Sequence, residues 1–313
     1  VPIGVFATLW SHYKLHEVSH PLRKQKIDII GNITFAGGLS SILIGITLNI
    51  IAGLDAPTTY LLIGVGTVLL VAFFITESRV EMPMLSLSLF RVREFAAGNL
   101  AIVLNSLARG AVTLVLVFYL QGPSMQLNAF TAGVFLIPTS ASLAFFGPIS
   151  GYLSDRYGAR LLATIGLIVS SVGFILLSTI GPKVTFPELA IPLIFVGSGM
   201  GIFAAPNRAS IMNSVPSEDR GIASGISVTF FNVGATVSLA FAFLLMATVT
   251  PRSTLVAIFL GISGSGTPTT ISSFISSIHL VFLVSTIFLL VAIVPSVMRG
   301  SRPRPVLGPP EEG

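Results

Sequence analysis

Long apolar runs separated by short polar segments dominate the chain. Between charged residues and Pro/Gly breaks, eight runs stand out, at approximately 29–52, 58–76, 95–120, 129–153, 160–180, 187–212, 221–249 and 274–297. About 20 apolar residues, at 1.5 Å of helical rise each, bridge the roughly 30 Å of a bilayer's hydrocarbon core. The runs are continuous, as from Leu61 to Ile75, and lack the period-two alternation of a membrane β-strand. The pattern predicts an all-α polytopic membrane bundle of about eight transmembrane helices. Residues 1–10 are also apolar but too short to span, and they look like the last turns of a span that begins earlier. The chain starts with Val and has no basic stretch or small-residue cleavage site of a signal peptide, so the natural protein is expected to continue upstream. Residues 83–93 and 254–262 read as interfacial segments, and the Pro- and Arg-rich residues 299–313 as a disordered tail.

Composition narrows the class. Of 313 residues, 53% are hydrophobic and 9% charged, with a mean hydropathy of +0.92. A soluble domain carries about 25% charged residues, so a water-soluble fold is excluded, and disorder with it. There is no cysteine, which rules out disulfides and thiolate metal sites. The net charge of +5 raises nucleic acid as a partner, but in a membrane protein basic residues first report orientation. Thirteen basic residues, from Lys14 and Arg23 through Arg79, Arg156 and Arg220 to Arg304, fall in alternate loops and the tail. Only Lys183 and Arg252 fall in the opposite loops. The basic side is read as cytoplasmic, with a cytoplasmic C-terminal tail in the plasma membrane, and no nucleic acid is required.

Ionisable residues at membrane depth are rare and point to function. None of the twelve acids falls near mid-span, so no carboxylate here offers itself as a proton carrier. Arg109 lies near the middle of 95–120, and Glu94, about 22 Å away along a helix, is too far to pair with it. Arg109 either faces a central cavity, meeting an anionic group, or bonds backbone carbonyls and water at a kink. Asn105, four residues earlier, shares its helix face. Gln121, Asn232 and His279 are further pathway candidates; interhelix bonding for the amides and an interfacial position for the His are the alternatives. Gly197 with Gly201, and Gly221 with Gly225, have the spacing of close helix contacts. Pro138 and Pro206 interrupt spans and suit either kinks or gating.

Two stretches carry a resemblance. One ends in Gly151-x-x-x-Asp155-Arg156-x-Gly158-x-Arg160, where two spans meet across about six residues on the basic side. Asp155 is expected just before a helix N-terminus with Arg156 and Arg160 as cationic partners, Gly151 at a close backbone approach, and Gly158 at a positive-φ turn. The other is AAPNRASIMNSVPSEDRGIASG at 204–225, together with TAGVFLIP at 131–138 and MPMLSLSLFRVREFAAGNLA at 82–101. Together they resemble the major facilitator superfamily, and within it the fourteen-helix drug:proton antiporter branch. The resemblance implies that residues 1–28 end a truncated sixth helix and continue into a loop. Residues 29–76 would be the linking helix pair, 77–94 a cytoplasmic loop, 95–298 the C-terminal six-helix bundle and 299–313 the tail. It implies alternating-access export of small organic molecules in exchange for protons, by a monomer without cofactor, metal or catalytic residue, with the 151–160 loop as a conformational switch. A membrane-embedded enzyme, a channel, and a facilitator of another substrate class are the competing readings.

Overall fold

The computed structural model describes residues 2–14, 28–51, 53, 55–77, 79, 86–259 and 267–299. Its regular elements are α1 (Pro2–Lys14), α2 (Ile29–Ile51), α3 (Ala56–Glu77), α4 (Arg93–Arg109), α5 (Val112–Gln121) and α6 (Ala129–Tyr157). They continue with α7 (Ala159–Leu177), α8 (Phe186–Asn213), α9 (Arg220–Val249), α10 (Arg252–Phe259) and α11 (Pro268–Met298), and short 3-10 turns precede α4 and α9. Among the described residues eight helical segments are long and apolar enough to cross a membrane, one for each predicted run, with α4 and α5 together making one of them. No strand occurs among the described residues. The apolar segment expected at 254–262 begins as α10; its end, and the tail from 300 onward, lie outside the described residues.

Local chemistry sets the helix starts. Asp28 accepts the Gly31 N–H at 2.8 Å at the head of α2, and Asn128 accepts that of Thr131 at 2.8 Å at the head of α6. At α8, Thr185 and Glu188 form a reciprocal capping box, the Thr185 N–H donating to Glu188 Oε2 at 2.7 Å. Each pairs backbone donors that a helix start leaves open. The α6–α7 connection is tighter than expected: α6 runs to Tyr157 and α7 begins at Ala159, with Gly158 alone between them at φ +88°. This backbone is strained for a residue with a Cβ. Asp155 therefore lies inside the last turn of α6 and does not cap α7.

The helices from α4 onward pack into one bundle. α8 lies against α6 on one side and α7 on the other, α11 against α4 and α7, and α9 against α4. Its core includes Leu116, Tyr119, Leu167, Phe174, Leu193 and Phe282. Glycine lets α8 touch both neighbours backbone to backbone. A Cβ on Gly197 would stand 2.9 Å from Thr139 Cα of α6, and one on Gly199 would strike Gly166 and Ser170 of α7. Ser150 of α6 adds a hydrogen bond to the Gly201 carbonyl at 2.9 Å. Gly151, in contrast, has only ordinary contact space at Ala205, and Gly221 and Gly225 meet nothing within 4 Å. Among the described residues these three glycines make no close backbone contact. The α2–α3 hairpin joins the bundle near its basic loops through a second cluster, in which Phe73 of α3 packs with Leu89, Phe95, Ile211 and Val215. At the far end, the Arg252 guanidinium of α10 sits against the hairpin turn at Gly53.

Two measurements test this packing. Gly197→Ala is expected to lower the melting temperature in detergent, because overpacking of this kind destabilises by about 1–3 kcal/mol. Gly225→Ala leaves it unchanged or raises it, since Ala is favoured over Gly in a helix by about 1 kcal/mol. Asp55, at the head of α3, is held below its ordinary carboxylate value, first by the Thr58 side chain and then by the Thr58 N–H. Its folded value is depressed, so its contribution is present above the unfolded value of about 3.9 and is lost as pH falls through the lower folded value. Melting temperatures of wild type and Asp55→Ala should differ near neutral pH and converge on acidification through that range.

Candidate functional site

The predicted span 95–120 is not one helix. α4 ends at Arg109 and α5 starts at Val112, with Gly110 and Ala111 between them in a turn. Gly110 lets the backbone of Ala235 on α9 come into direct contact at the break. The N–H freed there does not stay open: Ala111 donates to Ser238 Oγ of α9 at 3.0 Å. A hydroxyl from a neighbouring helix thus supplies the acceptor that the helix would otherwise provide, which is how a broken span is tolerated in hydrocarbon. A small recess lies beside it, lined by Leu107, Ser238 and Ser285 among others.

Arg109 is the last residue of α4, where the helix dipole favours a cation. It is half-buried and makes no hydrogen bond or ion pair among the described residues. One turn earlier, Asn105 is 3% exposed and its Oδ1 has no partner. Gly98, Asn105 and Arg109 recur at helical spacing on one stripe of α4. Gly98 on that stripe meets Ile211 of α8, while Asn99, Ser106 and Gly110 meet α9 through Ser227, Gly234 and Ala235. The Asn105–Arg109 stripe is thus on a different face of α4 from the residues that meet α9.

The remaining candidates are dispersed. Gln121 is exposed at the end of α5, and Asn232 is exposed on α9. The His279 ring donates from Nε2 to the Ile180 carbonyl at 2.7 Å, and Tyr119 bonds the Gly181 carbonyl at 2.7 Å. These two bonds pin the loop between α7 and α8 at the far end. Pro138 and Pro206 lie within α6 and α8, both of which continue through them; Ser142 Oγ bonds the Pro138 carbonyl at 2.7 Å. In the α6–α7 loop Asp155 is exposed and has no ion pair among the described residues. Arg156 instead lies over the Tyr152 ring at 5.7 Å, and Arg160 is exposed. Asp155 thus sits at the end of α6 that disfavours an acid, with no capping bond to compensate.

One polar cluster was not visible in the sequence. Arg299 had counted only as a tail charge that orients the chain, yet it is 2% exposed. Its Nη2 donates to Asn207 Oδ1 of α8, and Asn207 Nδ2 donates to the Gly98 carbonyl of α4 at 3.4 Å. Ser210, one turn along α8, donates to Glu94 Oε1 of α4 at 3.0 Å. Burial pushes the Arg299 guanidinium down to about 10, and nearby Glu94 acts in the opposite sense. A basic residue directly after an apolar run is what an ordinary span end looks like, so no pattern in the sequence marks Arg299 as buried.

Similarity to known proteins agrees with this architecture. A profile of the Major Facilitator Superfamily matches residues 20–239 and 98–313. A riboflavin transporter of Clostridioides difficile is 27% identical over 245 residues, covering 77% of this chain and 51% of that protein. A triacylglyceride transporter of Mycobacteroides abscessus is 27% identical over 255 residues, covering 77% and 49%. The lincomycin resistance protein of Bacillus subtilis is 26% identical over 250 residues, covering 79% and 52%. The chain spans about half the length of these curated relatives. With a family profile matching most of its residues and eight apolar helices to span a bilayer, the chain belongs to the major facilitator superfamily.

Proposed function

We propose that this chain belongs to a secondary transporter that exports small organic molecules in exchange for protons, by alternating access, in the plasma membrane. The observation that carries this reading is the break at Gly110–Ala111 with Arg109 beside it. An uncompensated cation at mid-span is costly in a membrane and persists where it meets a cavity or an anion, and discontinuous helices mark such sites in transporters. The Asn105–Arg109 stripe is assigned to the substrate pathway, where Arg109 meets an anionic group of the substrate or a carboxylate elsewhere in the protein. Gln121 and Asn232, both exposed, are assigned to the same pathway. The Asp155 loop is assigned to the switch between access states, because its acid gains nothing where it stands and is available to a second element. Drug export is supported by the lincomycin resistance relative; the riboflavin and triacylglyceride relatives show that the wider family carries other cargo. A mid-span acid is absent from the described residues, so proton coupling is assigned to a part of the protein beyond this span set.

Substrate accumulation in everted membrane vesicles, with and without a pH gradient, tests the reading. Transport should collapse when the gradient is dissipated; transport indifferent to it removes the proton from the scheme. Arg109→Gln, at unchanged membrane levels, should lower the rate by about tenfold or more, the loss expected for one charged contact. Arg109→Lys should recover part of it, because charge is kept and the planar donor fork is not. Wild-type rates in Arg109→Gln would assign the residue to structure alone. Since the His279 Nε2 is committed to Ile180, His279→Gln should leave the pH–rate profile unshifted.

A further inference from the structure

The cluster at the end of the bundle that carries the basic loops contains a conflict. Arg299 is almost wholly buried, yet of its donors Nε and Nη1 have no partner, while Nη2 is given to Asn207. Among the described residues the carboxylate that acts on it electrostatically is Glu94, and that carboxylate is held by Ser210. A guanidinium is satisfied best by a carboxylate, which can take two of its N–H groups at once. Here the best partner is next door and engaged elsewhere.

The spacing shows how the conflict resolves. Asn207 and Ser210 are one turn apart on α8; Gly98 and Glu94 are one turn apart on α4. The bonds Asn207 to Gly98 and Ser210 to Glu94 are therefore successive rungs between the same two helices. Arg299, from the end of α11, engages the deeper rung. A rotation of its long side chain by about one helical turn, roughly 5 Å, brings it to the outer rung, where Glu94 waits. The geometry points to a two-position latch. In one position, seen here, Arg299 holds Asn207 and Glu94 holds Ser210; in the other, Arg299 and Glu94 form an ion pair that ties the end of α11 directly to the head of α4. The latch joins α4, which bears Arg109 at its other end, to the last span. It biases the bundle between two arrangements of its basic end.

This chain has no cysteine, so once any cysteine in the rest of the protein is replaced, a single reporter gives a direct test. A single Met212→Cys reporter, half-buried at the end of α8, is labelled with a maleimide in membranes of cells expressing the protein. Glu94→Gln and Asn207→Asp both favour the position seen here and should shift the labelling rate in the same direction, by about fivefold or more. Asn207→Ala and Ser210→Ala favour the ion pair and should shift it the opposite way. In an Arg299→Gln background these differences should vanish, and Arg299→Lys should restore them in part. A static tie behaves differently: every substitution loosens it, so all shifts share one sign. Shifts of one sign, shifts that persist in Arg299→Gln, or no shift at all would overturn the latch. If Glu94→Gln fails to reach the membrane, Asn207→Asp carries the same arm of the test.

Discussion

A backbone N–H or C=O in hydrocarbon has no water to fall back on, and this demand shapes the protein from end to end. It makes the apolar runs helices, keeps α6 and α8 continuous through their internal prolines, and confines irregular backbone to the ends of the spans. The exception proves how strict the demand is. Where α4 gives way to α5, the freed Ala111 N–H is taken by a hydroxyl from α9, and the backbone of α9 lies close enough to deliver it because residue 110 has no side chain. The break is thus a property of two helices together. Replacing either Gly110 or Ser238 would alter a contact made by the other.

The same logic governs the packing. Apolar side chains gain little by leaving lipid for one another, so helices associate through close backbone contact and a few polar bonds. The contacts of Gly197 and Gly199 place α8 between α6 and α7. Bonds such as Ser227 to Asn99, at 2.8 Å, and Ser150 to the Gly201 carbonyl then fix the register of neighbouring helices. Such a bundle is rigid where small residues interlock and adjustable where a long polar side chain has a choice of partners.

These two kinds of contact differ in how far the sequence discloses them. Span number, helix type and the positive turn at Gly158 follow from run length, periodicity and a residue that alone tolerates that backbone. The place of Arg109 within an apolar run is legible too, because a charge there interrupts the pattern. What could not be read was which of two similar features finds a neighbour. Gly197–Gly201 and Gly221–Gly225 have the same spacing, and among the described residues only the first pair packs closely against a neighbouring helix. The break after Arg109 was missed because Gly110 is an unremarkable residue until Ala235 and Ser238, more than a hundred positions later, come to meet it. Asp155 was expected to cap α7 on the assumption of a longer turn; α6 extends to Tyr157 and leaves no room for that geometry.

Arg109 and Arg299 show how one residue type acquires different work from its surroundings. Both are costly where they stand, and the charge of neither is neutralised by direct contact with a carboxylate among the described residues. Arg109 stands half-open at a helix end, with an unpaired amide oxygen one turn away. Arg299 is enclosed, with Asn207 bonded to it and Glu94 near, so its demand is directed inward, to a choice between partners within the bundle. Arg109 is the last residue of the seventeen-residue α4, and Arg299 lies near its other end, where Asn207 links it to the Gly98 carbonyl. A helix anchored by one arginine and presenting another is suited to couple what happens at mid-membrane to how its basic end is held.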